Sequence, residues 1–323
     1  MKIVLAGPYP TETQATFAAL LPGCEFISVS TQRDYDALRE GEVIVVRVLK
    51  TTEETLKNKA DLKAVIRWGA GFDSVDIAAA GRRGVMVSTT PGGNSYAVSE
   101  LAVALMLAVG RKIVNQNART HGGIWDNKLF SEQMTTLNHK TVGIIGGGNI
   151  GRGVSKQVQV FGASAIYYDV APMEKEMEKK YNMRYRPLND LIRNSDVITL
   201  HVPLTEENRH MIGAEEIKQM KDHVIIVNTA RGGLIDDLAL AEALRSGKVS
   251  GAGLDCVENE NMEESPFAGL EQVIMTPHMG GTTNDLSAEM VPRIAAQIRL
   301  YTECGNLNYI VNRQYLKQNA VNA

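Results

Sequence analysis

One glycine-rich run and three polar residues carry the chemistry this sequence could do. The run Thr141-Val-Gly-Ile-Ile-Gly-Gly-Gly-Asn-Ile-Gly151 contains Gly146-x-Gly148-x-x-Gly151. In a strand–turn–helix setting the first glycine permits the tight turn, and the second lets backbone approach a pyrophosphate. The third allows close packing of helix on strand. The new helix would offer its free N–H groups and positive dipole end to the phosphates, so Asn149 and Ile150 in its first turn join the candidate cofactor residues. Asp169 follows 18 residues after Gly151, where an acid grips ribose hydroxyls and repels a 2′-phosphate. Its neighbours Val170-Ala171-Pro172 supply no base for such a phosphate, which favours NAD over NADP. Downstream, Arg231, Glu260 and His278 each fall just after a strand-like run. Hydride transfer between an alcohol and a nicotinamide needs a base for the hydroxyl proton, and imidazole suits that work near neutral pH. A carboxylate on its second nitrogen would fix the tautomer and stabilise imidazolium. An arginine offers a planar fork for a substrate carboxylate.

These residues need a scaffold of parallel strands, and the sequence supplies one twice. Strand-like runs at 2–6, 25–29, 43–48, 64–67 and 85–88 alternate with helical patterns, as do runs at 141–145, 165–168, 197–201, 224–228, 251–254 and 273–276. Such alternation implies parallel strands with helical crossovers, and six of them make a dinucleotide-binding sheet. Between the two series, Ser95 to about Thr120 reads as one long helix, followed by a polar stretch over 121–140. After Gly281 a last helix over about 285–303 and an irregular tail are too short to fold alone, so they are expected to pack back on the first domain. The predicted fold is α/β, with two doubly wound parallel-sheet domains and an active site in the cleft between them. A Rossmann NAD-binding domain (98–285) is inserted in a flavodoxin-like substrate-binding domain (1–97 plus 286–323).

Composition narrows the function classes. The 323 residues amount to about two domains. With 44% hydrophobic and 22% charged residues the chain fits neither disorder nor a fibrous repeat. Lys plus Arg total 34 against 37 Asp plus Glu, a net charge of −3, which argues against nucleic acid as a partner. The longest strongly apolar stretch, Leu101–Val109, has nine residues, against the ~20 a membrane span requires. The N-terminus lacks the length of a secretory signal. Cys24, Cys256 and Cys304 are widely spaced without a Cys-x-x-Cys pair, so no disulfide framework and no metal site is expected. A cytoplasmic location is the consistent expectation.

Taken in order, these motifs resemble the D-isomer-specific 2-hydroxyacid dehydrogenase family, closest in pattern to its phosphoglycerate dehydrogenases. Gly69-Ala-Gly71-Phe-Asp73-Ser-Val-Asp76 and Thr90-Pro-Gly-Gly-Asn94-Ser-Tyr-Ala-Val-Ser-Glu100 are similar to the family's substrate-loop and interdomain-helix signatures, and His201-Val-Pro203-Leu-Thr205 to its cofactor loop. The resemblance implies Arg231 for the substrate carboxylate and carbonyl, His278 for acid–base work, and Glu260 to orient that His and favour its protonated form. It implies cofactor contacts at His201, Pro203, Thr205, Thr229, Ala230, Asp255 and Gly280, with Asp255 near the nicotinamide carboxamide. It also implies a substrate carboxylate held by the backbone around Ala70 and Gly71, and a homodimer formed through 95–140. Two departures stand out. Asn261 follows Glu260 where Pro is common, and Glu258 offers a second acid two residues earlier, although spacing to Asp255 favours Glu260. Formate dehydrogenases of similar fold carry Gln in place of the Glu, so the acid argues against formate.

The substrate is expected to be a D-2-hydroxy acid or the matching 2-oxo acid. Arg47 and Arg67 occupy places where phosphoglycerate dehydrogenases carry arginines that face phosphate, and their chemistry suits a dianion. Trp68 stands where a small residue is usual. The candidates are 3-phosphoglycerate and phosphohydroxypyruvate, with unphosphorylated hydroxypyruvate, glyoxylate, pyruvate or a branched or aromatic 2-oxo acid as the alternative. Because the sequence stops at Ala323, a form without the regulatory C-terminal domain of many phosphoglycerate dehydrogenases is expected. A reading from another class, an NAD(H)-sensing corepressor-like binding module, would retain the same Arg, Glu and His.

Overall fold

Unbroken β-branched runs build two parallel sheets. Val43–Val46 and Val224–Asn228 are buried at every position, as strands covered by helices on both faces must be. The computed structural model describes residues 1–260 and 264–316, so Asn261 lies outside the described residues. The chain divides into two compact units, Met1–Asn94 with Thr283–Ala323, and Ser95–Thr282. The second unit therefore begins at Ser95 rather than at 98 and ends at Thr282 rather than at 285.

In the first unit β1 (Lys2–Ala6), β2 (Glu25–Val29), β3 (Val43–Val46), β4 (Ala64–Arg67) and β5 (Met86–Ser88) lie in the order β2-β1-β3-β4-β5. All pairs are parallel, which is the flavodoxin-like order. The helix Leu286–Cys304 completes this unit. It buries Leu286, Met290, Ile294 and Ile298 among Ile3, Leu5, Val43, Val45 and Ile66, and each such side chain contributes about 1.5–3 kcal/mol. The described part of the tail is fixed by Asn312, which accepts from Val87 N and donates to Val85 O, both at 2.9 Å. The tail thus covers edge strand β5.

The second unit holds β6 (Thr141–Ile145), β7 (Ser164–Tyr168), β8 (Met183–Tyr185), β9 (Val197–Leu200), β10 (Val224–Asn228), β11 (Val249–Leu254) and β12 (Val273–Met275). Their order is β12-β11-β10-β9-β6-β7-β8, all parallel. This is the dinucleotide-binding order extended by one strand, and its switch point lies between β6 and β9. Seven strands replace the six expected, because β8, Met-Arg-Tyr, is too short and too mixed to read as a strand.

The long helix expected over Ser95 to about Thr120 is two helices, Ser95–Gly110 and Ile113–His121. The break has a tertiary cause. Thr135 N–H donates to Gly110 O at 2.8 Å, and Lys112 turns left-handed at φ 52° while its Nζ donates to Ser250 O at 3.0 Å. The first of these helices lies against β11 at bare glycine. A Cβ at Gly253 would stand 2.8 Å from Leu105 Cβ, and one at Gly251 2.6 Å from Val109 Cγ1. Among the described residues no helix is long and apolar enough to cross a membrane.

Candidate active site

Every candidate of the second unit falls at the C-terminal ends of its strands, in the loops that follow, or, for Asn149, Ile150 and Gly151, in the first turn of the helix after β6. After β6 the chain turns at Gly146, φ 110°, where a Cβ would meet His201 O at 2.6 Å. At Gly151, in the first turn of the helix Asn149–Val160, a Cβ would lie 2.0 Å from Gly146 O. At Gly148 nothing lies within 4 Å of that position. The loop is closed where it packs and open where it faces outward, which is the shape a pyrophosphate needs. No side chain caps the helix start. Asn149 Oδ1 accepts from Arg152 Nη2 at 2.6 Å, and Ile150 packs against the core beneath. Asp169, just past β7, receives Gly147 N–H on Oδ2 at 2.8 Å, so the acid is fixed beside the loop. These residues fit NAD.

His201 follows β9 and hydrogen-bonds through Nε2 to Thr199 Oγ1 at 2.9 Å, with Thr229 Oγ1 3.5 Å from Nδ1. Burial pushes its pKa down to about 3, so the ring stays neutral at working pH. Pro203 and Thr205 lie in the next loop, shaped by Asn208, which accepts from Thr205 N at 2.7 Å and donates to Pro203 O at 2.8 Å.

Asn228 closes β10. Its buried amide donates to Arg231 O at 2.8 Å and Cys256 O at 3.3 Å and accepts from Ala230 N at 3.0 Å. It thereby sets the loop from Thr229 to Arg231 against the loop after β11. Arg231 Nη1 donates to Ala230 O at 2.7 Å.

Asp255 is 3% exposed. Its carboxylate accepts from Thr276 Oγ1, from Met279 N at 2.8 Å and from Gly280 N at 2.9 Å. In this structure it braces the loop after β12, which carries His278. That histidine is left-handed, φ 51°, a strained conformation that persists where surrounding contacts over-determine it. Here its N–H lies 3.0 Å from Asp255 O and 2.9 Å from Thr276 O. His278 Nδ1 is 2.9 Å from Glu260 Oε1. A carboxylate there accepts the Nδ1 proton and leaves the Nε2 lone pair free to take one.

The second acid, Glu258, is engaged elsewhere. It accepts from His210 Nε2 and lies 3.7 Å from Arg209 Nη2. Its backbone N–H donates to Asp237 Oδ2 at 2.8 Å. The geometry brings Glu260, not Glu258, to the imidazole. Asp237 is a titrating group that the sequence did not reveal. Burial first, then Glu258 and Asp236, push its pKa up to about 6 from 3.8. A raised folded-state pKa means the native chain holds a proton the unfolded chain has released, so stability falls as pH climbs from about 4 to about 6. Asp237→Asn is expected to leave the Tm unchanged at pH 4 and to raise it by a few degrees at pH 8. A difference that does not vary with pH would refute this.

The first-unit candidates are described by themselves. Arg67 donates from Nε to Gly71 O at 2.8 Å and from Nη1 to Val46 O at 3.1 Å and to Arg47 O. Arg47 Nη1 donates to Pro8 O at 2.8 Å, and burial pushes its pKa down. Trp68 is 6% exposed and packs edge-on against Tyr9 at 5.0 Å and Phe17 at 6.4 Å. Among the described residues its Nε1–H has no partner. Ala70 and Gly71 follow Gly69, φ 131°.

A family model described as D-isomer specific 2-hydroxyacid dehydrogenase, NAD binding domain, matches residues 103–280. The D-3-phosphoglycerate dehydrogenase of Methanocaldococcus jannaschii is 40% identical over 265 residues, 82% of this chain and 50% of that protein. This chain thus spans about half the length of that relative. The glyoxylate reductase of Thermococcus litoralis is 35% identical over 287 residues, 87% of this chain and 86% of the reductase. A crystal structure of a glyoxylate reductase from Paecilomyes thermophila superposes with a TM-score of 0.83 at 29% identity, covering 97% of this chain and 99% of the other.

Proposed function

Because this chain belongs to the D-isomer-specific 2-hydroxyacid dehydrogenases, NAD-dependent oxidoreductases that act on CH–OH donors, we propose that it interconverts a D-2-hydroxy acid and its 2-oxo acid. The observation that carries the reading is the 2.9 Å hydrogen bond between His278 and Glu260 on the strand edge that also bears the glycine loop. Held by the loop from Gly146 to Gly151 and by Asp169, NAD would supply the hydride acceptor for C2, and NADH the donor. His278 Nε2 removes the hydroxyl proton during oxidation, and the Glu260 carboxylate offsets the charge that the ring acquires. In reduction the same nitrogen gives the proton back. Arg231 holds the substrate carboxylate and polarises the carbonyl. The loop from Gly146 to Gly151 and Asp169 hold the cofactor, with His201, Pro203, Thr205, Thr229, Ala230, Asp255 and Gly280 completing the nicotinamide side.

Phosphohydroxypyruvate is the substrate that two first-unit arginines would suit. An unphosphorylated acid is the second reading, and a specific observation favours it. Arg67 already gives its Nε and Nη1 to three backbone carbonyls, and Arg47 gives Nη1 to a fourth, so both guanidinium groups act as braces. The test is NADH oxidation with phosphohydroxypyruvate, hydroxypyruvate, glyoxylate, pyruvate, 2-oxoisocaproate and phenylpyruvate. Strong preference for the phosphorylated acid would overturn the second reading. NADH binding without turnover on any of them would replace the enzyme with a sensor.

Asp169→Ala is expected to weaken NAD by about 10–100-fold, the worth of one or two hydrogen bonds to a carboxylate, and to leave NADP nearly unaffected. Unchanged preference would remove Asp169 from the ribose site. The partner is a second copy of this chain, a reading supported by the apolar side chains Ile113, Val114, Ile124, Trp125 and Leu129, which are 42–90% exposed. A sedimentation mass of one chain would refute it. Cytoplasmic residence is supported by Cys24, Cys256 and Cys304 all being free thiols, and localisation of a tagged chain tests it.

A further inference from the structure

Cys256 enters none of these steps, yet the fold sets it beside the acid–base pair. It follows Asp255 at the end of β11 and is 2% exposed, with Sγ 3.5 Å from Ala230 O. One sulfur, one carboxylate oxygen and one imidazole nitrogen, from Cys256, Glu260 and His278, lie within 4.8 Å of one another. The sulfur forms the buried end of this group. The other two side chains, 56% and 46% exposed, form its solvent end.

We propose that Cys256, Glu260 and His278 bind one thiophilic divalent cation of the zinc or cadmium type, and that its occupancy stops turnover. The donor set is the mixed sulfur, nitrogen and oxygen type that zinc selects. In a tetrahedral site with Zn–S near 2.3 Å and Zn–N near 2.0 Å, neighbouring donors stand about 3.3–3.6 Å apart. His278 Nδ1 and Glu260 Oε1, at 2.9 Å, are already close to that spacing. An adjustment of about 1 Å by two half-exposed side chains brings the sulfur to the same distance. Three protein donors leave the fourth position to water, and the thiol proton leaves to solvent as the metal binds.

Inhibition follows from the electron count on the imidazole. A neutral ring has one lone-pair nitrogen. Whichever nitrogen coordinates the metal uses that pair, and the other nitrogen then carries a proton. No base remains for the substrate hydroxyl, and the Glu260 charge is turned toward the cation. The inhibitory half of the proposal rests on the dehydrogenase reading. The binding half does not.

The experiment is therefore run in two arms. In the first, cofactor-free protein is titrated with Cd²⁺ and the thiolate-to-cadmium ultraviolet charge-transfer band is followed. The wild type is compared with Cys256→Ala, with the volume-conserving Cys256→Ser and with His278→Ala. The wild type is expected to show the band with one equivalent bound, Cys256→Ala and Cys256→Ser to lose that band, and His278→Ala to keep it with binding about tenfold or more weaker, at least the loss that follows removal of a supporting residue from a metal site. In the second arm, Zn²⁺ is added during NADH-dependent reduction of the best 2-oxo acid. Wild-type activity is expected to fall and to return with a chelator. Cys256→Ser is expected to retain its uninhibited rate and to need about tenfold more zinc or above. A charge-transfer titration unchanged by Cys256→Ser, or equal zinc sensitivity in both proteins, overturns the proposal. If no 2-oxo acid is turned over, the cadmium arm still decides whether the site exists.

Discussion

His278→Ala is expected to lower kcat by about 10³-fold and to leave the NADH dissociation constant within about twofold of wild type. A positioned general base contributes about 10²–10⁴ in rate, equal to roughly 3–5.5 kcal/mol of barrier. The loss falls on the chemical step, because the hydrogen bond made by the imidazole runs to Glu260 and not to the cofactor loop around Gly146. Glu260→Gln separates orientation from charge. The amide oxygen can still accept the Nδ1 proton, so the tautomer survives, while the compensation for an imidazolium is lost. That variant is expected to fall between wild type and His278→Ala. Rates come from NADH absorbance, and binding from NADH fluorescence titration. An alanine variant retaining more than about a tenth of wild-type kcat would show that another group moves the proton.

Gly151→Ala is expected to abolish measurable NADH binding. The added Cβ would lie 2.0 Å from Gly146 O and 3.0 Å from Ile144 Cγ2, and the first of these is a backbone atom that no rotamer change can move aside. The helix start must lift away from β6, which carries its N–H groups out of register with the pyrophosphate. Overpacking of this kind costs about 1–3 kcal/mol, or a Tm lower by about 2–12 °C for a unit of this size. Gly148→Ala is the control. Its Cβ meets nothing within 4 Å, so its Tm should match wild type while the new methyl obstructs the phosphates. If Gly151→Ala binds NADH normally, the loop does not hold the pyrophosphate in the manner described.

Much of this is legible in the sequence. The runs 2–6, 64–67, 141–145 and 224–228 coincide with β1, β4, β6 and β10, because a strand covered on both faces is largely apolar and bounded by turn residues. What escaped the sequence depends on contacts between distant segments. The break after Gly110 is held by Thr135 and Ser250. Spacing alone favoured Glu260 over Glu258, and the pairing of Glu258 with His210 and Arg209 explains why the other acid is unavailable. Arg67 reads as a fork for a dianion, yet nothing local reveals that backbone carbonyls occupy much of that fork. Cys256 shows no pattern of its own in the sequence, because His278 reaches it from the loop after another strand, β12.

The bare face of β11 has a consequence for anyone who would re-engineer this chain. Where Gly251 and Gly253 pass beneath the helix Ser95–Gly110, side chains rest directly on peptide planes, and added carbons would stand 2.6 Å and 2.8 Å from their neighbours. Tolerance to change is therefore divided sharply along a single strand. Randomising its helix-facing positions should return mostly chains that fail to mature, whatever residues are sampled elsewhere. The loop that leaves the same strand carries Asp255 and Glu260, so substitutions there act on the acid–base machinery, whereas those on the helix-facing glycines act on the platform beneath it.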